Sequence, residues 1–192
     1  MIKIISCSII KNELDFLLKD KDPLINIEFI NSDYHIKRTE LNELILDKIN
    51  KTDIDDTIIF LYGDCFINNM GITFPNRKIL TPGVKNCCEL FFTNEEFKKL
   101  AYETKVFFLL HEWVIKWKKI FKFYLKMNQK QAQFIFQDLY SKFVYIETGK
   151  NPYPQKEINE IKDFFDIDIE SINIDNNSLK SRISKLLIEA KK

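Results

Sequence analysis

Two stretches of the chain decide the fold that the sequence predicts. Residues 57–65 read Thr-Ile-Ile-Phe-Leu-Tyr-Gly-Asp-Cys, and residues 77–92 read Arg-Lys-Ile-Leu-Thr-Pro-Gly-Val-Lys-Asn-Cys-Cys-Glu-Leu-Phe-Phe. Each holds a short apolar run that ends in a turn signal, and a cysteine follows each run. Runs of this kind are typical of strands buried on both faces of a parallel sheet. We therefore interpret them as two parallel strands whose carboxyl ends carry Cys65 and Cys87.

Strand and helix patterns alternate along the rest of the chain. Other apolar, β-branched runs lie at residues 2–10, 25–30, 105–110, 143–146 and 167–174, with amphipathic patterns between most of them. Such alternation predicts an α/β fold in three layers, with a mostly parallel sheet and helices on both faces. A pair of helical patterns at about residues 111–141 is interpreted as an excursion packed on the main layer. We find no repeat and no linker, so we expect a single domain over residues 1–192.

Composition narrows the classes of partner. The 192 residues include 29 Lys and Arg against 28 Asp and Glu, so whole-chain charge gives no reason to expect nucleic acid or a membrane surface as a partner. No apolar run approaches the roughly 18 residues of a membrane span, and the N-terminus lacks the features of a signal peptide. We expect a cytoplasmic protein with reduced thiols, in which loop cysteines are more often ligands or reactive groups than disulfides.

Four residues are predicted to meet beyond the carboxyl ends of successive strands, where open parallel sheets bind ligands. Cys7 lies at the end of the first strand, His35 follows the second, and Cys65 and Cys87 follow the third and fourth. Three thiols and an imidazole match a tetrahedral zinc site, and sulfur ligands favour zinc or another thiophilic metal over magnesium. The alternative interpretation is that some of these cysteines only fill the core, as buried cysteines often do; we expect this of Cys88.

Neighbouring residues are weaker candidates for the same site. Gly63 could let backbone approach a ligand, and Asp64 could act as a base or cap a turn. Asn86 is predicted to cap the helix that begins at Cys87, and Glu13 could reach the site from the first helix.

Two candidates follow the fifth strand. His111 and Trp113 are predicted to reach the same edge of the sheet. The aromatic stripe that Trp113 begins is more typical of a core or a dimer face than of a cofactor site, and the lysines among its residues are more typical of a solvated face.

The chain resembles a known family of bacteria and archaea, domain-of-unknown-function family 1638. Ile5-Ser6-Cys7 with Glu13 is similar to its opening motif, and His35 falls at its Leu-His-Asn-like segment. Three later segments are also similar. Leu61 to Cys65 resembles a Gly-x-Cys strand end, and Leu80 to Cys87 resembles a Pro-Arg-x-His-Asp-Cys segment. Phe107 to Leu109 with Trp113 resembles a later strand of the family and its Gly-Trp.

This resemblance implies the α/β fold and the cysteine site. It also implies a role near corrinoid-dependent methyl transfer, with a corrinoid as a cofactor and a small molecule or a methyltransferase-system protein as a partner. The chain departs from the family where Gly83, Lys85, Asn86 and Glu112 stand for arginine, histidine, aspartate and glycine, so a basic anion-binding role is not expected there.

Three functional hypotheses follow. In the first, Cys7, Cys65 and Cys87 bind a metal or metal cofactor, with His35 as the fourth ligand or an outer partner. In the second, the protein is a metal-free thiol enzyme in which Cys87 is the nucleophile, His35 or His111 the base, and Cys65 the resolving thiol. In the third, it is a non-catalytic module that binds a small ligand or a partner. The sequence does not specify the reaction or the oligomeric state.

Overall fold

The chain folds into two compact units, each built on its own parallel sheet. The computed structural model describes residues 1–20, 22–63 and 76–192. One unit comprises residues 1–91 with 177–192, and the other comprises residues 92–176. The sheets have four and three strands, which confirms the predicted α/β class and divides the strands that we had expected in one sheet. A single domain over residues 1–192 stays a prediction.

The first unit is organised by a four-stranded sheet in the order β2-β1-β3-β4, with all neighbours parallel. Its strands are β1 (Ile2–Cys7), β2 (Ile25–Ile30), β3 (Thr57–Leu61) and β4 (Ile79–Leu80). Every residue of β3 and nearly every residue of β1 is buried, so both faces of these central strands are covered. The β-branched run in β3 therefore has the environment that its composition predicts.

The second unit contains a three-stranded parallel sheet in the order β5-β6-β7. Its strands are β5 (Val106–Leu109), β6 (Lys142–Glu147) and β7 (Ile169–Asn173).

Helical segments connect the strands of both units. The α-helices are α1 (Lys11–Leu17), α2 (Arg38–Asn50), α3 (Asn94–Lys98), α4 (His111–Ile115), α5 (Gln129–Leu139), α6 (Gln155–Phe165) and α7 (Asn177–Ala190). Short 3-10 helices occupy Ser8–Ile10, Ser32–Ile36 and Cys87–Phe91, and π-helical segments occupy Lys99–Glu103 and Lys118–Tyr124. The helical excursion predicted at about residues 111–141 is confirmed, although α4 and the second π-helical segment replace the single helix expected at its start.

One core cluster covers a face of the first sheet. Leu41, Ile45 and Ile49 of α2 pack with alternate residues of the strands, including Cys7 and Tyr62. The helix stripe follows the predicted spacing of three or four residues.

An aromatic core holds the second unit together. Phe165 is fully buried, and its ring lies 4.8 to 5.2 Å from the rings of Phe121, Phe136, Phe143 and Phe164, mostly edge to face. Such arrangements add to the stabilisation that burial of the rings already gives. The helical excursion is therefore anchored to the sheet of this unit through phenylalanine.

Two phenylalanines of this unit offer a matched test of the core. We expect Phe165→Ala to lower the free energy of unfolding by about 3–5 kcal/mol because it removes a fully buried ring. Phe134→Ala, at a side chain that is 80% exposed, should change it by less than about 0.5 kcal/mol. Urea unfolding followed by tryptophan fluorescence reports on this unit, since Trp113 and Trp117 both lie in it. Equal effects of the two substitutions would contradict the packing described.

Candidate functional site

The register of the first sheet brings Cys7 next to Tyr62. Ser6 pairs with Leu61 across the β1–β3 ladder, so the residue after each of them lies at the carboxyl edge of the sheet. Cys7 and Tyr62 are each only 4% exposed and belong to the same core cluster. The Tyr62 ring stacks on Phe60, with 4.5 Å between the centroids, which fixes the direction of the phenol.

A close backbone approach brings Cys87 to the same place. A Cβ atom built on Gly63 would lie 2.7 Å from the Asn86 nitrogen and 2.8 Å from the Lys85 oxygen, and closer still to the Asn86 Cα. Real Cβ atoms do not approach backbone so closely, so only glycine permits this contact. Because Gly63 has no side chain, the turn before Cys87 can approach the end of β3. The sequence had suggested that a ligand would make this approach.

Hydrogen bonds within the turn fix where Cys87 stands. The Asn86 side chain accepts hydrogen bonds from the backbone N–H groups of Cys88 and Glu89, at 3.0 and 3.2 Å, as its predicted capping role requires. The buried Glu89 carboxylate accepts from the Lys85 N–H at 2.7 Å. Cys87 and Cys88 are both half-buried, so Cys88 is less enclosed than the core residue that we expected.

Electrostatic effects link both thiols to the Tyr62 hydroxyl. Burial raises the pKa of Tyr62 far above its usual value, and electrostatic effects of Cys7 and Cys87 raise it further. The hydroxyl therefore keeps its proton at any physiological pH. Tyr62 thus interacts electrostatically with both cysteines, and the sequence prediction missed this residue. Its position in phase with Ile58 and Phe60 is the sequence signal that could have identified it.

His35 lies at the same edge of the first sheet, in the 3-10 helix that follows β2. The Ser32 N–H donates to Ser8 Oγ at 2.9 Å and ties this helix to the end of β1. Partial removal from water, with a smaller effect of the Arg38 guanidinium, lowers the pKa of His35 although the residue retains an exposed surface. The ring is therefore biased toward its neutral form, in which an imidazole nitrogen can bind a metal.

The sequence also predicted Glu13, Asp64 and Cys65 at this edge. Glu13 lies in the first turn of α1 and is only 4% exposed, so it is a buried carboxylate close in sequence to Cys7. Asp64 and Cys65 lie outside the described residues. Among the residues that the structure describes, no group of three or more His, Cys, Asp or Glu side chains has the geometry of a metal site.

His111 and Trp113 belong to the other sheet. His111 begins α4 after β5, and its Nδ1 lies 3.2 Å from the hydroxyl of the buried Tyr145. Trp113 packs against Phe107 and Phe121 and so contributes to the aromatic core. The strand before both residues pairs within the three-stranded sheet of the second unit.

The Gly63 contact can be tested by adding one methyl group. We expect Gly63→Ala to lower the free energy of unfolding by about 3 kcal/mol or more, because its Cβ would meet backbone atoms that cannot rotate away. Gly83→Ala is the control: its φ of 61° disfavours alanine but its surroundings are open, so about 1–2 kcal/mol should be lost. Urea unfolding monitored by far-ultraviolet circular dichroism measures both. A smaller loss for Gly63→Ala than for Gly83→Ala would contradict the contact.

The surroundings of His111 predict its titration. Burial lowers its pKa below the ordinary 6.5, and the opposing effects of Glu112 and Glu157 are smaller. Since the folded-state pKa is depressed, the contribution of His111 to stability is complete above the unfolded-state pKa and declines as pH falls below it. Proton NMR titration of the two histidines, with His35→Gln for assignment, should give a His111 pKa below 6.5. A value at or above 6.5 would contradict the described burial.

Comparison with known proteins gives a family but no characterised relative. No curated protein and no solved structure matches the chain significantly. Among the described helices, none combines the length and apolar character needed to cross a bilayer. A family model described as protein of unknown function, DUF1638, matches residues 29–183, a region that includes His35, Gly63 and Cys87 and begins after Cys7. The chain therefore belongs to the DUF1638 family of proteins of unknown function.

Proposed function

We propose that the carboxyl edge of the first sheet binds a thiophilic metal ion, with zinc as the first candidate. The proposed ligands are Cys7, Cys65 and Cys87. The observations that carry the proposal are that β1 and β3 end side by side at Cys7 and Tyr62, and that the Gly63 contact places the turn before Cys87, from a distant part of the sequence, at the end of β3. Cysteines at the edge of the sheet where parallel sheets bind ligands would offer the soft sulfur donors that zinc and copper(I) prefer.

The burial of this edge supports a bound cation. Thiolate is the form of cysteine that binds metals, and a thiolate inside an apolar core is costly unless a positive charge compensates it. Cys7 is almost fully buried among isoleucine and aromatic side chains. For Cys7 to bind as a thiolate in this core, the bound metal ion would have to supply the compensating positive charge, since the neutral Tyr62 phenol supplies none.

The role of His35 decides the type of metal centre. Its neutral ring at the same edge suits it as a fourth ligand, which would give a closed, structural site. With three thiolates alone, one coordination position would remain open to a substrate. The proposed role in methyl transfer, with a corrinoid or a methyltransferase-system protein nearby, rests on the family resemblance alone.

The exposure of Cys87 favours a second candidate function. Cys87 is half-buried, whereas Cys7 is almost fully buried in the core. Of these two residues, Cys87 is therefore the one that a substrate could reach. A metal-free thiol enzyme with Cys87 as nucleophile would use this difference. In that case Cys87 should react with iodoacetamide much faster than Cys7, and chelators should leave its rate unchanged.

Metal analysis tests the first proposal. Protein purified without a metal-binding tag should contain about one equivalent of a thiophilic metal per chain. Cys7→Ser, Cys65→Ser and Cys87→Ser should each lose most of it because each removes a sulfur ligand. Cys88→Ser is the matched control, since Cys88 is a half-buried thiol beside Cys87, and it should retain the metal.

Cobalt(II) provides a second measurement that does not depend on the metal present at purification. Wild type and Cys88→Ser should show sulfur-to-cobalt charge-transfer absorption, and Cys87→Ser should show less of it. A metal-free wild type that also gives no such absorption, or an equal loss in Cys87→Ser and Cys88→Ser, would overturn the metal site.

A further inference from the structure

A block of positive charge lies within the second unit. Residues 113–137 contain six lysines and no aspartate, glutamate or arginine, although the whole chain carries a net charge of only +1. The lysines are Lys116, Lys118, Lys119, Lys122, Lys126 and Lys130. We expected no membrane partner because the whole chain is nearly neutral. The charge of the whole chain does not reflect this strongly basic segment.

Large apolar side chains of the same segment face solvent. Phe134 is 80% exposed and Phe123 is 71% exposed, and the aliphatic Ile115 and Leu125 are each about half exposed, as is Leu139 just beyond the segment. Single exposed apolar residues are ordinary, but several within one short basic segment make that segment a candidate for contact with a partner. Burial does not explain Phe134, because α5 packs into the core through Ala132 and Phe136, on its other side.

The segment is a defined helical hairpin. The rings of Phe121 and Phe136, from its two arms, are 5.6 Å apart, and the Met127 N–H donates to the Phe121 carbonyl at 2.9 Å in the turn. Asn128 and Gln131 form a reciprocal capping box that starts α5. We call residues 115–139 the basic hairpin. Its core contacts hold the exposed lysines and apolar residues on a fixed framework.

The lysines of the basic hairpin differ in their availability to an anionic partner. Lys116 and Lys118 form ion pairs with glutamates of the second unit. Lys122 lies over the rings of Trp117 and Phe164 and is exposed to solvent. Lys126 and Lys130 are exposed and form no ion pair with any described residue.

We propose that the basic hairpin binds the surface of membranes that contain anionic lipids. Surfaces of this kind combine lysines, which are attracted to lipid phosphates, with phenylalanine and leucine, which enter the boundary of the acyl chains. The charge pattern and the exposed apolar residues of the hairpin supply both components. Binding would be peripheral, and it would not use the thiols of the first unit.

Two other occupants fit less well. A second copy of the chain would oppose one lysine block to another, and like charges repel across an interface. Sites for nucleic acid commonly use arginine for bidentate and stacking contacts, but the second unit contains no arginine. Exposed aliphatic side chains, which cannot stack on bases as aromatic rings do, also favour lipid.

Vesicle co-sedimentation of the full chain tests this proposal. The protein should bind vesicles of equal parts phosphatidylcholine and phosphatidylglycerol, bind pure phosphatidylcholine weakly, and dissociate as sodium chloride is raised. Lys126→Glu/Lys130→Glu should weaken binding at least tenfold, since each lysine near an anionic surface contributes about fivefold. Phe123→Ser/Phe134→Ser should reduce the binding that persists at high salt.

Matched variants of the first unit provide the controls. Lys180→Glu/Lys185→Glu makes the same charge change at exposed lysines of α7, and Phe16→Ser removes a phenylalanine that is 57% exposed. Both should bind vesicles as the wild type does. Equal losses in the control and hairpin variants, equal binding to both vesicle types, or binding to single-stranded oligonucleotide without vesicle binding would overturn the proposal. So would concentration-dependent dimerisation that Phe134→Ser abolishes in a protein that does not bind vesicles.

Discussion

The parallel ladder of β1 between β2 and β3 is the constraint on which the candidate site depends. Because β1 pairs Cys7 with Ile30 and Ser6 with Leu61, the ends of three strands fall in line, and whatever follows them meets at one edge. A slip of one residue in this register would turn Cys7 to the opposite face of the sheet. Close packing on both faces opposes such a slip, since the apolar side chains that now pack against α2 would move to the other face, which different residues fill. The fold thus locates the first thiol through the hydrophobic packing of the strands.

Strand β3 and the cap at Asn86 could be predicted from the sequence because each is specified by residues close together in the chain. Strand β3 was expected at residues 57–62 and occupies Thr57–Leu61, and Asn86 caps the segment that it was predicted to cap. That Cys7 and the turn before Cys87 would lie at the same edge was expected from a general property of parallel sheets, whose carboxyl ends share an edge. The division into two sheets did not follow, because the pairing of β5 depends on which strand it meets after folding. His111 and Trp113 were therefore assigned to the edge of a sheet to which they do not belong.

What the sequence could not give is the environment of each side chain. Tyr62 looks like the last residue of an apolar strand, and only the structure shows that its hydroxyl is deeply buried and interacts electrostatically with two cysteines. Gly63 looks like a turn residue, yet its lack of a side chain is what admits Asn86 and so positions Cys87. Each depends on contact between segments distant in sequence, on which local patterns carry no information.

Among the phenylalanines of the second unit, residues that stabilise the fold can be distinguished from residues that could serve binding more clearly than among the cysteines. Phe165 and Phe136 are buried among other rings, so a requirement for stability accounts for them. Phe123 and Phe134 are the same residue type in the same unit, but they are largely exposed and contribute little to that core. An exposed phenylalanine carries a cost in solubility, and strongly charged neighbours reduce that cost only while the hairpin is in water. The six lysines around them therefore serve two purposes, since they keep the free protein soluble and supply attraction to an anionic surface. A surface of this composition is best explained by a partner that accepts both charge and hydrocarbon, which a lipid bilayer does.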